Sequence, residues 1–435
     1  MQAVRWPLRS ETKRAVRASG LLMSAGLVGG LGNLVFNLMV ARGGGAATYG
    51  AVGSLLMLAV AAGFCALGAQ YAVAHLAAVG APGARLLGRA FWGVAPWMAL
   101  SFVVLVGAVP LASYLHLGSV VPVLLTALLL GVTVLAAAPA GLLVGRSRFR
   151  AVAVIAIGST VVRILLGAWL GHGPGTVVGA LVATVASIVL ALLVRIGWVI
   201  WSERTSAKAA PPAAPLEAQP GEGAPGLMMR GALGALIAGG LWGIWTLPVL
   251  AARHKLDSHQ SGEFAAAQLL AGGIIWGTAP LVTAFYPTLA RGRNQQAVVV
   301  GLVVTAAVAA VGVLGFGLVG PALIPRVYGP EFHPAALLLF DLGTSAAVTA
   351  VMTFVCWSAV AQRRIVWPVI FGLGGGMAGA VVLCAAWAHS TVQLAASPSL
   401  AMALGALVAG GAKVVMNWRS VRPADEFQTG KSVRA

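Results

Sequence analysis

Residues 41–50 read ARGGGAATYG, and they follow an apolar run that begins near Leu21. An arginine and three glycines therefore stand where a first membrane helix ends. A similar helix end recurs in the second half of the chain. There, Ala252 and Arg253 close one apolar run and Phe264 opens the next, after a loop four residues longer. This recurrence predicts a chain built from two similar halves.

The composition is that of a membrane protein. Hydrophobic residues make up 59% of the chain and charged residues 9%, against about 25% charged residues in a typical soluble domain. A transmembrane helix needs about 20 mainly apolar residues. Twelve such runs lie near residues 20–41, 51–76, 90–113, 119–143, 151–171, 176–199, 229–251, 264–288, 297–323, 335–360, 366–388 and 398–417. The sequence therefore predicts an all-α integral membrane protein with about twelve transmembrane helices.

The basic residues alternate between the two sides of the predicted membrane. With the N-terminus placed in the cytoplasm, 23 of the 28 Lys and Arg residues fall on cytoplasmic segments, and Arg195 is counted among them. Arg163 lies within a span, and the remaining four lie outside: Arg42, Arg253, Lys255 and Arg326. Because cytoplasmic loops carry an excess of Lys and Arg, the pattern predicts a multi-pass plasma-membrane protein with both termini cytoplasmic. Topology accounts for the net charge of +18, and no nucleic-acid partner is expected.

A linker rich in Pro, Ala and Gly divides the predicted helices into two sets of six. The expected organisation is a basic N-terminal segment (1–18), a six-helix bundle (19–201), the cytoplasmic linker (202–227), a second six-helix bundle (228–417) and a cytoplasmic tail (418–435). An even number of helices gives both halves the same orientation. The sequence thus predicts two six-helix bundles in a parallel repeat, an arrangement found in transporters that rock one half against the other.

Two ionisable residues lie within predicted spans, where an unpaired charge costs several kcal/mol. Arg163 lies about twelve residues into the fifth span and hence near the bilayer midplane. It is a candidate cation for a central cavity that binds an anionic head group; a structural ion pair or bonds to backbone carbonyls are the alternative. Asp341 lies roughly two turns into the tenth span. It is a candidate for proton coupling, for pairing with an arginine of the other half, or for binding a neighbouring helix.

Other polar residues have both structural and functional interpretations. Asn33 and Asn37 are four residues apart and share a helix face, where they would line a cavity or bond a neighbouring helix. Glu263 begins the eighth span, where a carboxylate favours the positive end of the helix dipole; gating is the alternative. Six of the seven histidines lie at outer helix ends and are expected to be solvated, with His254 beside Arg253 the strongest candidate for a site.

Catalysis finds little support in the sequence. There is no phosphate-binding G-x-x-x-x-G-K-[ST] loop, no G-x-S-x-G elbow and no pair of carboxylates on one loop or helix face. Cys65, Cys356 and Cys384 fall within spans and lack the spacing of metal ligands. The sequence predicts no enzyme activity, cofactor or metal, and a carrier or a scaffold remains.

Three segments carry a family resemblance. Residues 41–50 are similar to an A-R-x-L-G-x-x-x-Y-G turn, with Gly44 in place of the usual Leu. Residues 285–290, FYPTLA, look like an F-x-P-x-L segment at the end of helix eight, and residues 327–336, VYGPEFHPAA, resemble a Y-G-x-E-[FY]-x-x-A-A stretch entering helix ten. In their order and placement, these segments resemble the oligosaccharide flippases of the polysaccharide-biosynthesis (Wzx-like) family. The larger group to which these belong also holds the multidrug (MATE) exporters and the lipid II flippases.

The resemblance implies a MATE-like fold and a function. A flippase of this kind moves a polyprenyl-diphosphate-linked oligosaccharide across the bacterial plasma membrane by alternating access, for polysaccharide or cell-envelope assembly. The implied partners are the lipid-linked oligosaccharide, membrane lipid, and a polysaccharide polymerase and glycosyltransferases.

The cargo chemistry assigns expected roles to the candidate residues. A diphosphate needs cations, for which the candidates are Arg163, Arg42 and Arg253. A sugar needs hydrogen-bonding groups, for which the candidates are Asn33, Asn37 and Gln268. Arg42 is interpreted either as an outer-gate cation or as a group that binds helix ends or lipid phosphate. Asp341 and Glu263 are the candidates for coupling or gating.

Three other functions remain open at the sequence level. A lipid II flippase would use the same cationic chemistry. A cation-coupled multidrug or metabolite exporter should carry unpaired carboxylates deep in its halves, whereas Asp341 is the one acid clearly within a predicted span. A non-transporting scaffold would tolerate replacement of its intramembrane charges.

Overall fold

A computed structural model describes residues 9–78, 88, 91, 98–146, 148–170, 176–206, 224–290, 295–361 and 366–420. Within these ranges every regular element is helical. Residues 1–8, most of the predicted linker (207–223) and the end of the predicted tail (421–435) lie outside the described residues, so the predicted domain limits remain proposals.

Six helices can be given bounds among the described residues of the first half of the chain. They are α1 (Arg9–Ala78), α2 (Met98–Val106), α3 (Ala108–Tyr114), α4 (Val121–Gly145), α5 (Phe149–Leu170) and α6 (Thr176–Ser206). α1 carries the first and second predicted spans, and α2 and α3 lie in the third.

The described residues of the second half also form six α-helices. They are α7 (Ala224–Lys255), α8 (Ser258–Ala290), α9 (Gln295–Val327), α10 (His333–Ala361), α11 (Val366–Val382) and α12 (Thr391–Ser420). A 3-10 turn (Pro330–Phe332) joins α9 to α10, and a π-helical turn (Leu383–Trp387) ends α11. Each helix corresponds to one predicted span.

The glycine-rich stretch bends α1 without forming a loop. Arg42 and Tyr49 are both helical, and the backbone departs from helical geometry at Gly45, with φ 70° and ψ 178°. A residue with a Cβ is strained at positive φ, which explains why glycine occupies the bend. The sequence predicts two helices with a turn between them, and the structure has two helices, residues 9–44 and 46–78, with the turn reduced to the single non-helical residue Gly45; we call them the two arms of α1.

The described helices are those of a multi-pass membrane protein. Nine candidate spans can be identified within the described ranges by length and hydropathy. The first of them, Ser24–Val60, runs through the Gly45 bend and so includes parts of two predicted spans. The prediction of an all-α membrane protein is therefore confirmed.

The two halves share their apolar core at one end of the bundle, which we call the Gly45 end. It contains the α1 bend and the junctions α3–α4, α7–α8, α9–α10 and α11–α12. The shared core combines Phe36 and Tyr49 of the first half with Trp245, Phe264 and Tyr328 of the second. Towards the opposite end, the described apolar clusters belong to one half each. The halves are thus joined at the Gly45 end, which the charge pattern predicts to be external.

Candidate functional site

Helix α5 has one exposed face and one face turned towards the other helices. Val154, Val161 and Leu165 recur at helical spacing and are 63%, 48% and 64% exposed, as expected for side chains that contact lipid. On the opposite face, Thr160 and Arg163 are only partly buried. Because neighbouring helices cover these side chains only in part, the interior face of α5 lines an open space between helices.

That space is a groove of about 370 Å³ near the end of the bundle opposite Gly45. It lies between α1, α5 and α6 and is lined by Ala25, Gly26, Gly29, Val152, Ala153, Ala156, Ser159, Thr160 and Arg195. The small residues of α1, Ala25, Gly26 and Gly29, leave the space that the groove occupies. The hydroxyl groups of Ser159 and Thr160 both donate to the Ala156 carbonyl, so their oxygen lone pairs can still accept a bond from a ligand.

Arg195 supplies the positive charge of the groove, and sequence reasoning missed it. The charge pattern counts Arg195 as cytoplasmic, although the predicted span 176–199 includes it; in the structure it lies in α6, within the candidate span Thr176–Ser202. Among the described residues, its one hydrogen bond is a long one of 3.5 Å from Nη1 to the carbonyl of Ala136. The available signal was its position between Val194 and Ile196, inside an apolar run.

Arg163 lies three residues, or about 4.5 Å of helix rise, beyond the groove residue Thr160 on the same face of α5. Its guanidinium carbon is 5.1 Å from the centre of the Phe36 ring, a cation–π contact. Its buried Nε atom has no hydrogen-bond partner among the described residues. A buried guanidinium nitrogen without an acceptor is costly. Of the two interpretations in the sequence analysis, this placement favours a cation for an absent anion.

The carboxylates with described side chains do not line the groove. Four of the ten acids have described side chains, and all four are in the second half: Asp257, Glu263, Glu331 and Asp341. Asp341 is partly buried beside an exposed stripe of α10 that includes Leu337 and Phe340, 72% and 54% exposed. The described part of the chain offers Asp341 no ion pair. Its predicted coupling role stays a proposal.

Glu263 belongs to a small charged cluster at the Gly45 end. His259 Nδ1 lies 3.0 Å from Glu263 Oε1, and His259 Nε2 lies 3.9 Å from Glu331 Oε2. Asp257 accepts bonds from the backbone N–H of His259 and of Gln260 and so caps the start of α8. Glu263 precedes the eighth predicted span. Burial raises its pKa above the ordinary value, an effect that the neighbouring His259 opposes.

Asn37 connects the two arms of α1. Its Nδ2 donates to the Asn33 carbonyl at 2.8 Å, and its Oδ1 accepts from the Tyr49 hydroxyl at 3.2 Å. The Tyr49 ring in turn packs edge-on against Tyr328 and Phe332 of the second half, with centroids 6.0 and 6.3 Å away. Asn37 thus positions an aromatic contact between the halves, while Asn33 is partly exposed on the same face of α1.

Replacing Tyr49 with phenylalanine should lower stability by about 1–2 kcal/mol, because it leaves the buried Asn37 Oδ1 without its donor. The measurement is a thermal melt of the detergent-purified protein. Tyr114→Phe is the matched control, since Tyr114 is exposed and no bond from its hydroxyl is found among the described residues. Equal melting temperatures for the two variants would contradict this role for Tyr49.

Gln268 lies on α8, where its side chain is fully buried against α7. Its Nε2 donates to the Trp245 carbonyl, while its Oε1 has no partner among the described residues. Trp245 Nε1 and Thr246 Oγ1 are also buried and have no hydrogen-bond partner among the described residues. Each such group costs about 1–3 kcal/mol. In this conformation Gln268 is closed off from any cargo.

Arg42 and Arg253 lie at the Gly45 end, and both bond backbone carbonyls of the opposite half. Arg42 reaches the last turn of α9, and Arg253 reaches Leu115 at the end of α3. His254 stacks on Tyr114 and His116, with ring centroids 3.9 and 5.4 Å away. His254 therefore packs against the other half, where simple solvation had been expected.

The structure thus distributes the eight predicted site residues over several places. Arg163 lies beside the groove; Arg42, Arg253 and Glu263 lie at the Gly45 end; Asn33 and Asn37 lie along the first arm of α1; Gln268 is enclosed in the second half; and Asp341 lies beside an exposed stripe. Arg163 lies one turn from the groove residue Thr160, and Asn33 lies one turn from the groove residue Gly29.

Solved structures with the same fold cover nearly the whole chain. The inward-facing conformation of a multidrug resistance MATE family transporter of the MOP superfamily aligns with a TM-score of 0.67 at 15% identity, over 93% of this chain and 100% of that one. The lipid II flippase MurJ, in an inward closed conformation, gives 0.63 at 11% identity, over 92% and 87%. A eukaryotic MATE transporter gives 0.57 at 17% identity, over 94% and 97%. These likenesses show a MATE-like fold.

No family model matches the chain. No curated protein matches it either.

Proposed function

We propose that this protein is a flippase that moves a polyprenyl-diphosphate-linked oligosaccharide across a bacterial plasma membrane by alternating access. The observation that carries the proposal is the pair Arg163 and Arg195. Both lie within candidate membrane spans of the first half, beside or within one groove, and neither has a carboxylate partner among the described residues. An intramembrane cation without a counter-ion is a site for an anion.

The groove also suits the rest of such a head group. The lone pairs of Ser159 and Thr160 accept hydrogen bonds from sugar hydroxyls, and the glycines of α1 leave space for a ring. The MATE-like fold supports alternating access, because its two halves are joined here at one end and have separate apolar cores towards the other.

The unpaired atoms of Gln268 and Trp245 are consistent with a second conformation. Gln268 lies one turn along α8 from Ala265, which faces Gly53 of α1 across the contact between the halves. If separation of the halves at the Gly45 end also loosened α7 from α8, Gln268 would be hydrated, and the cost of burying it would be relieved in the opened state. This supports its predicted role as a sugar-binding residue there.

Two other functions fit less well. A lipid II flippase would use the same cations, and the likeness to MurJ makes it the second candidate. An exporter of cationic drugs would need acids near the groove, whereas the described acids lie in the second half and Asp341 borders an exposed stripe. We also propose that both termini are cytoplasmic, and that a polysaccharide polymerase and glycosyltransferases act on the same cargo.

The test is a flipping assay in liposomes containing the purified protein. A fluorescent polyprenyl-diphosphate sugar should become accessible to an external quencher, while a fluorescent phosphatidylcholine and a polyprenol-linked sugar without the diphosphate should not. Accessibility that stays constant under every ion gradient would refute the proposal. Preference for a lipid II analogue over a simple sugar would favour the second candidate.

Arg195→Gln should slow flipping of the diphosphate cargo about tenfold, because one charge-assisted bond to phosphate is lost. Arg148→Gln is the matched control, since Arg148 precedes α5 at the same end of the bundle but is exposed and does not line the groove. If both variants flip the cargo at the wild-type rate, the groove is not the binding site.

A further inference from the structure

The structure contains two cross-half contacts that mirror each other at the Gly45 end. In the first, Arg42 of α1 donates from Nε to the Val327 carbonyl and from Nη2 to the Arg326 carbonyl, both at 2.8 Å. In the second, Arg253 of α7 donates from Nε to the Leu115 carbonyl at 3.0 Å. Each arginine therefore binds the C-terminus of a helix in the other half.

The internal repeat relates these contacts to each other. α1 and α7 open the two halves, and α3 and α9 hold the third span of each half. Arg253 follows Arg42 by 211 positions, and Arg326 follows Leu115 by the same 211 positions. The donor lies in the first half in one contact and in the second half in the other. Each donor and each acceptor nevertheless occupies the same place in its half.

Elementary electrostatics explains why these partners attract. The last carbonyls of a helix have no intrahelical donor and carry the negative end of the helix dipole. A guanidinium supplies several donors and a full positive charge to them. Both contacts disappear when the halves move apart, because donor and acceptor belong to different halves.

Neighbouring residues reinforce the second contact. Arg253 Nη1 also donates to Ser261 Oγ at 3.1 Å, which fixes the guanidinium at the start of α8. His254 Nδ1 lies 2.9 Å from the Tyr114 carbonyl, and His116 Nδ1 lies 3.4 Å from the Arg253 carbonyl. Arg253 is 7% exposed, whereas Arg42 is exposed.

We propose that Arg42 and Arg253 form a pair of reciprocal latches that hold the Gly45 end closed, and that this end opens only when both arginines leave their helix ends. In the alternating-access cycle proposed above, the latches set how often the Gly45 end opens. The inference concerns an equilibrium between conformations and needs no cargo.

The chain offers a matched control for latch removal. Lys255 lies two residues after Arg253, and its Nζ donates to the carbonyls of Ala385 and Ala388, both at 2.8 Å. It therefore binds the end of α11 in the same way, but within the second half. Its loss removes a similar contact without touching the contact between the halves.

The experiment measures the distance between spin labels on the two halves. Labels placed at Ser113 and His333, which are exposed on α3 and at the start of α10, are attached in a background lacking the three native cysteines and studied in lipid nanodiscs without cargo. Arg42→Ala and Arg253→Ala should each raise the population with the longer separation about tenfold, and together by more. Lys255→Ala should leave the distribution unchanged.

An unchanged distribution in the latch variants, or an equal change with Lys255→Ala, would overturn the proposal. Arg42→Ala alone decides the matter if Arg253→Ala fails to fold, because Arg42 is exposed and its loss leaves no cavity. Since no cargo is present, failure of the latches is distinguishable from failure of the proposed flippase activity.

Discussion

Replacing Arg163 with alanine should reduce flipping of a diphosphate-linked cargo about ten- to a hundredfold, because charge-assisted bonds to phosphate are each worth about 1.5–3 kcal/mol. Arg163 is the cation nearest the middle of the predicted membrane, and its Nε is unpaired among the described residues. Arg163→Lys should keep part of the activity, because it retains the charge but loses the planar donor fork. The readout is polysaccharide export in a strain lacking the native copy, together with flipping in liposomes.

Membrane insertion and melting temperature serve as the controls for this series. A structural arginine would lower stability and activity together, whereas a cargo-binding arginine would lower the flipping rate more than the melting temperature. Normal export by both variants would show that Arg163 only packs against Phe36. That result would remove the central residue from the proposed site and leave the fold unaffected.

Gly262→Ala should open the Gly45 end or prevent the helices from meeting there. A Cβ at residue 262 would overlap the backbone carbonyl of Ala46, and since a Cβ is fixed to its own backbone, no side-chain rotation relieves the clash. Overpacking of this kind costs about 3 kcal/mol, which corresponds to about a hundredfold change against the closed arrangement. Spin labels at Ser113 and His333 would report a longer separation.

The same helix provides the control for this variant. Gly273 is exposed on α8 and a Cβ there would have no atom within 4 Å. Gly273→Ala should therefore leave the label distance unchanged and stabilise α8 by about 1 kcal/mol, through the higher helix propensity of alanine. If Gly262→Ala behaves like Gly273→Ala, the close approach of α1 and α8 does not determine closure.

The fold could be predicted because its signals are local. A run of about 20 apolar residues indicates a span wherever it occurs, and the Lys and Arg pattern fixes the order of the loops. The bend at Gly45 was also foreseeable, since the ARGGGAATYG stretch offers the one residue type that adopts positive φ without strain. What the local signal did not show is that both arms stay helical up to the bend.

The site was predicted less completely, and Arg195 and Gln268 show why. Arg195 was counted as cytoplasmic although the predicted span 176–199 contains it, because the positive-inside pattern assigns a basic residue near the end of a span to the cytoplasm. Gln268 was expected to meet a cargo, but the packing of α8 on α7 encloses it. Whether a polar side chain faces a cavity, a neighbouring helix or lipid depends on rotation about the helix axis, which packing decides.

By itself the sequence determined the membrane-spanning helices, the division into two halves and the recurrence of an arginine at Arg42 and Arg253. Tertiary structure alone decided what those arginines bind. Their acceptors are 285 positions away for Arg42 and Val327, and 138 positions away for Arg253 and Leu115. Hydropathy and backbone preference act within one helix, whereas these bonds exist only because the packing of the two halves brings distant helix ends together.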